Sequence, residues 1–175
     1  KAVRAQVGPD FCVGIRLCGD EFHPDGLSHE DMKQIAKYYD DTGMLDFIGV
    51  VGSGCDTHNT LANVIPNMSY PPEPFLHLAA GIKEVVKAPV LHAQNIKDPT
   101  QATRILEGGY VDMVGMTRAH IADPHLIAKI KMGQVDQIKQ CVGANYCIDR
   151  QYQGLDVLCI QNAATSRDYM DVPHI

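Results

Sequence analysis

No apolar run in the sequence approaches the roughly 18 residues that a membrane-spanning helix needs, so no membrane-embedded segment is expected. Positive charge is also in short supply: 15 Lys and Arg stand against 21 Asp and Glu, a net charge of −6 over 175 residues. That balance argues against nucleic acid or an anionic membrane as a partner. The opening residues Lys1-Ala2-Val3-Arg4 have no hydrophobic region behind them, so nothing reads as a secretory signal and a cytoplasmic location is expected. An initiator Met is absent too, from which removal of upstream sequence or membership of a longer chain is expected. With no mark of secretion, the six cysteines do not suggest a disulfide framework. What is there is a globular composition, 45% apolar and 21% charged, of a length that suits one ordinary domain.

The pattern along the chain is strand then helix, four times over. Phe11 to Leu17 is a short apolar run ending near Arg16. Ser28, with Asp31 three residues on, forms a capping-box signature for a helix that stops near Gly43. Asp46 to Val51 reads as the second strand. The loop that follows, Gly52 to Pro74, is longer than structural connections usually are and reads as a working loop. Phe75, Leu78, Ile82, Val85 and Val86 then recur at helical spacing within residues 74–87. Ala88 to Ala93 and Val111 to Met116 are the third and fourth strands. Asp98-Pro99 and Asp123-Pro124 each open a helix, with Asp as N-cap and Pro at the first position. Cys141 to Ile175 looks loop-rich. Cys12, Cys18 and the methionines at 32, 44, 113, 116 and 132 read as core packing.

Alternating strands and helices imply a parallel sheet with right-handed crossovers. A doubly wound open sheet and a (β/α)8 barrel both fit, but no G-x-G-x-x-G follows any strand, which weakens the first. Four units make half a barrel and leave two unpaired edges. The expected architecture is therefore the C-terminal half of a (β/α)8 barrel over 1–140, completed by upstream sequence or a second copy, with a cysteine segment over 141–175. In such barrels the site lies at the C-terminal strand ends. Those ends carry Arg16, the run Gly52 to Asn59, then Gln94-Asn95, then Met116-Thr117-Arg118. Two arginines at one rim suit a phosphorylated, electron-rich ligand, because the guanidinium fork matches phosphate. Cys141, Cys147 and Cys159 follow as C-x5-C-x11-C, a spacing that suits an iron–sulfur cluster or, with a fourth ligand, zinc.

The runs Gly115-Met116-Thr117-Arg118-Ala119-His120-Ile121-Ala122-Asp123-Pro124 and Cys141 to Cys147, with Cys159-Ile160-Gln161-Asn162-Ala163-Ala164, resemble the old yellow enzyme-related flavoproteins that carry an iron–sulfur cluster. That family includes trimethylamine and histamine dehydrogenases, bacterial 2,4-dienoyl-CoA reductase and demethylases of N-methylated amino acids. The resemblance, over roughly Asp10 to Ala164, implies FMN at the barrel mouth. Arg16 matches the arginine at the flavin N1/O2 edge, Gln94 and Asn95 fall among the cofactor contacts, and Arg118 with the amides of Met116 and Thr117 matches the phosphate grip. Asn95 stands where relatives usually have arginine. Cys141, Cys147 and Cys159 match three of four cluster ligands, while Ala144 stands where relatives place the fourth cysteine; the cluster is then [4Fe–4S] with a substitute ligand, [3Fe–4S] or absent, and its presence is the expectation.

The resemblance also implies the chemistry. An N-methylated amine or amino acid would be oxidised by the flavin and demethylated, with electrons leaving through the cluster to an electron-transferring flavoprotein. Asp56 and His58 fall near the active-site carboxylate and histidine of relatives, and are the candidate catalytic residues. The alternative is an NAD(P)H-dependent ene-reductase of the dienoyl-CoA reductase type. A third reading is a piece inactive by itself, because relatives carry a first barrel half and a further nucleotide-binding domain with FAD or NAD(P), to which the end of the 141–175 segment would be the linker. A homo-oligomer is expected.

Overall fold

A computed structural model describes residues 1–54 and 57–167. Four parallel strands, β1 (Gly14–Cys18), β2 (Phe47–Val51), β3 (Val90–His92) and β4 (Met113–Val114), lie side by side in sequence order. Gly14 pairs with Phe47, Arg16 with Gly49, Gly49 with Leu91, and Leu91 with Met113. A doubly wound sheet reverses its strand order at a switch point. This one does not, and it is a half-barrel arrangement.

Because strand side chains alternate, the register divides the sheet cleanly into two faces. Leu17, Ile48, Val50, Val90 and His92 point to the helix side and are buried. The opposite face carries Gly14, Arg16, Phe47, Gly49, Leu91 and Met113. It is not the doubly covered apolar surface that the strand composition suggests: Arg16 is exposed, and Met113 is 43% exposed.

The helices that pack the buried face begin where the caps say. Following α1 (Ala2–Val7), α2 (His29–Asp41) starts with the full capping box, Ser28 and Asp31 each accepting from the other's backbone N–H. After α3 (His58–Val64), α4 (Leu76–Lys83) buries Leu76, Leu78, Ala79 and Ile82, and ends before Val85 and Val86. Asp98 caps α5 (Pro99–Glu107) through the Gln101 amide at 2.9 Å, with Pro99 at the first position. At 123–124 the same device acts differently. Asp123 ends α6 (Thr117–Ala122), and α7 (Leu126–Lys131) starts after His125 without a side-chain cap. The Asp123 carboxylate instead gathers the His125 amide (3.0 Å), the Lys139 amide (2.9 Å) and the Lys129 ammonium (2.6 Å). A short 3-10 turn over 135–137 precedes α8 (Tyr146–Tyr152).

Three aspartates pin the strand starts. Asp46 accepts from the Val13 amide at 2.6 Å and pairs with Arg4; Asp112 accepts from the Val90 amide at 2.8 Å and pairs with Lys83. Asp40 accepts from the Lys87 and Ala88 amides. The opposite, C-terminal ends are left to the loops. Among the expected core sulfurs, Met32 and Met116 are buried, but Met113 and Met132 are exposed, and so is Cys12. Met113 lies on the open sheet face, Met132 at the end of α7, and Cys12 ahead of β1, where no layer covers them.

Candidate functional site

A cavity of about 460 Å³ lies on the open face of the sheet, running from the strand starts at Gly14 and Phe47 to the residues past the C-terminal ends, Gln94, Asn95 and Arg118. Gly14 and Gly49 form part of its floor, with Arg16 and Arg118 entering from opposite ends of the sheet. Gly49 carries no positive φ; its glycine supplies room. A Cβ there would meet nothing nearer than 3.8 Å, so any larger side chain would grow into the cavity. Val64, Ile65, Ile121 and Ile148 supply apolar walls.

The polar groups come from the β3 and β4 ends. Gln94 is buried and donates both amide hydrogens, to the carbonyls of Asn63 (2.6 Å) and Val64 (2.9 Å). That fixes its amide orientation and leaves Oε1 as a buried acceptor with no hydrogen-bond partner among the described residues. Asn95 takes a left-handed φ of 56° at the turn after β3, which asparagine tolerates. It donates to the Pro71 carbonyl at 3.0 Å, while its own carbonyl accepts from Gln101. The Arg118 guanidinium donates to the Pro66 carbonyl at 2.9 Å, to Asn145 Oδ1 and, at 3.4 Å, to Asn95 Oδ1. Burial lowers its pKa, opposed by the charges of Cys141 and Cys147.

Arg118 also borders a second, much smaller cavity of about 20 Å³ on which Cys141, Cys147, Cys159 and Ala144 all open. Burial raises the Cys147 pKa, and Cys141 adds to that. Among the described residues no group of three His, Cys, Asp or Glu side chains stands close enough to hold one metal ion. The three thiols therefore suit an iron–sulfur cluster in donor type and in facing one cavity, but the cavity is too small for a cluster as it stands. The cysteine segment is anchored to the barrel by Asn162, which is buried and donates to the Ile121 carbonyl at 3.0 Å.

Of the residues singled out from sequence, Arg16, Gln94, Asn95, Thr117 and Arg118 line the cavity on the open face of the sheet. Met116 is buried in the core just before them. His58 is the first residue of α3, exposed and outside the cavity lining. Asp56 lies outside the described residues. Sequence reasoning passed over Asn145, the partner of Arg118. The signal was an asparagine after Gly143-Ala144, a residue type that tolerates the left-handed φ of 57° found there. It also passed over Gly49, whose small size leaves the cavity open, and Gly14, whose missing side chain makes room for the Phe47 ring.

Comparison with known proteins identifies the family. The chain is 83% identical over 174 residues to an N,N-dimethylglycine/sarcosine dehydrogenase of Chromohalobacter salexigens, covering 99% of this chain and 25% of that protein. It is 41% identical over 174 residues to a probable N-methylproline demethylase of Rhizobium meliloti, covering 99% of this chain and 26% of the relative. The chain thus spans about a quarter of the length of these relatives. Its fold superposes on a 2-naphthoyl-CoA reductase complex with a TM-score of 0.86 at 24% identity, over 97% of this chain and 25% of that one; identity that low speaks to fold alone. A model of the NADH:flavin oxidoreductase / NADH oxidase family matches residues 1–137, most of the barrel portion. The chain belongs to the NADH:flavin oxidoreductase / NADH oxidase family.

Proposed function

We propose that the protein carrying this chain is an FMN-dependent oxidoreductase that demethylates an N-methylated amine or amino acid. The observation that carries the cofactor reading is the meeting of Arg16, on β1, and Arg118, in α6 after β4, on one cavity. The space above Gly49 suits a flat ligand. The substrate class rests on similarity to proteins named for dimethylglycine, sarcosine and N-methylproline.

Bound FMN would supply a two-electron acceptor for a hydride from a C–H beside nitrogen, the resulting iminium then hydrolysing to the demethylated amine and formaldehyde. The side chains have separable tasks. Arg16 would set a fixed cation at the flavin, as the family resemblance implies for its N1/O2 edge, and so favour the reduced form. Arg118 grips the phosphate, its orientation held by Pro66 and Asn145. The apolar walls at Val64, Ile65, Ile121 and Ile148 exclude water from the reacting face. The catalytic parts of Asp56 and His58 rest on the family resemblance.

The decisive experiment is anaerobic titration of the full-length protein with sarcosine, N,N-dimethylglycine and N-methylproline, following the visible flavin absorption. Bleaching by at least one, with release of formaldehyde, is the expected result. If all three leave the flavin oxidised while NAD(P)H reduces it and an enoyl substrate reoxidises it, the ene-reductase reading replaces this one. A preparation with no flavin absorption at all would end both.

The three late cysteines carry a second element of the proposal, which rests on the family resemblance: Cys141, Cys147 and Cys159 would be the protein ligands of an iron–sulfur cluster, although the small cavity they share does not accommodate one as it stands. No step of the proposed demethylation depends on it. Anaerobically purified full-length protein should contain iron and acid-labile sulfide in about equal amounts. Absence of both would leave the cysteines as plain thiols.

A further inference from the structure

Four consecutive carbonyls, at residues 63–66, are each met by a side chain from outside their own segment. Gln94 donates to Asn63 and Val64, Asn145 to Ile65 at 2.8 Å, and Arg118 to Pro66. These carbonyls sit at and just past the end of α3, where a helix leaves its last C=O groups without internal partners. Two of these bonds come from just past β3 and a third from α6. The fourth comes from the cysteine segment, from a residue set between Cys141 and Cys147.

Asn145 uses both ends of its amide. Nδ2 donates to Ile65, and Oδ1 accepts from the same Arg118 Nη1 that donates to Pro66. Arginine has five N–H donors. Spending those of Nη1 on Pro66 and Asn145 fixes the plane of the fork. Among the described residues, Nε makes no hydrogen bond and Nη2 makes only the 3.4 Å contact to Asn95, so donors are left for an anion in the large cavity. The left-handed backbone at 145, φ 57°, presents the amide to Arg118 and to Ile65 at once.

We infer that Asn145 is a positioning residue for the flavin phosphate: it holds the Arg118 guanidinium in its binding orientation and ties it to the end of α3. The inference rests on the flavin reading above. It makes the order of the 57–66 segment and the grip on phosphate a single structural unit, with the cysteine segment as its third side.

The test compares FMN with riboflavin, which lacks the phosphate, as ligands of full-length apoprotein. Asn145→Gly keeps access to the left-handed backbone and deletes both amide bonds. Asn145→Asp keeps the backbone and the acceptor, loses the donor to Ile65, and adds negative charge beside the phosphate position. Asn145→Gly should weaken FMN roughly ten- to a hundredfold, the range for lost bonds to a charged group, and leave riboflavin within about twofold. Amide hydrogen exchange over 58–66 should quicken in the same variant. Asn145→Asp should weaken FMN at least as much, again sparing riboflavin.

Unchanged FMN affinity in Asn145→Gly overturns the inference and leaves the flavin reading standing. Equal loss of both ligands also overturns it, because the effect would then be general packing. If Asn145→Gly does not fold, Asn145→Asp decides by the same ratio. Wild-type apoprotein that binds neither ligand sinks the flavin reading itself, and this inference with it.

Discussion

His92 shows how one buried residue can set a response to acid. It sits on the helix side of β3 with no solvent exposure, and neither ring nitrogen has a hydrogen-bond partner of good geometry among the described residues. Burial pushes its pKa down to about 4, against weaker support for the charged form from Val50 and Glu73. In the unfolded chain the imidazole takes up its proton near pH 6.5, whereas the native state resists until about pH 4. Between those values the unfolded state binds more protons, so native stability falls as pH drops through this window and is unaffected above it. From pH 7.5 to pH 5 the loss should be about 2 kcal/mol. His92→Leu, similar in volume, should flatten the dependence; urea unfolding at the two pH values measures it. An undiminished pH effect in the variant would place its origin elsewhere. Nothing in the sequence marked this histidine, because a strand position reports alternation and not which face the helices cover.

At the scale of elements, the caps were legible and the short helices were not. Ser28 with Asp31 and Asp98 with Pro99 start α2 and α5 as their chemistry requires. By contrast α3, α6 and α8, of 7, 6 and 7 residues, were hidden in segments read as loop or strand end. Helices that short draw their stability from packing and tertiary hydrogen bonds rather than from propensity; the carbonyls of α3 depend on Gln94 and Asn145. Asp123 shows the same shift from local to tertiary duty. Its side chain is 2% exposed and joins the end of α6 to α7 and to Lys139. Burial would raise its pKa, but Lys129 and the Lys139 and His125 amides together lower it. Its contribution is present above the unfolded value near 3.8 and is lost as pH falls through the lower native value. Asp123→Asn, which keeps the shape and removes the charge, should cost about 2–3 kcal/mol at pH 7. Denaturant unfolding at pH 7 and pH 3 checks this, the gap closing at the lower pH. A cost that does not shrink in acid would mean that the charge is not the source.

At the scale of the molecule, the amino-acid sequence by itself determined a parallel α/β arrangement, because apolar strands alternating with capped helices have few other ways to bury their faces. It also determined which residues fall at the strand ends, since chain order fixes the C-terminal end of each strand: Arg16, Gln94, Asn95, Thr117 and Arg118 were named from that alone. What only tertiary structure decided was which of those groups meet. Arg16 and Arg118 are 102 positions apart in sequence, and only the order β1-β2-β3-β4 puts them on one cavity. Asn145 belongs to a segment that sequence reading set apart, yet it completes the setting of Arg118 through contacts 27 and 80 residues distant. Local pattern carries information over a turn or a strand; the pairing of remote polar groups depends on how whole elements pack, and is fixed only when the sheet closes on its helices.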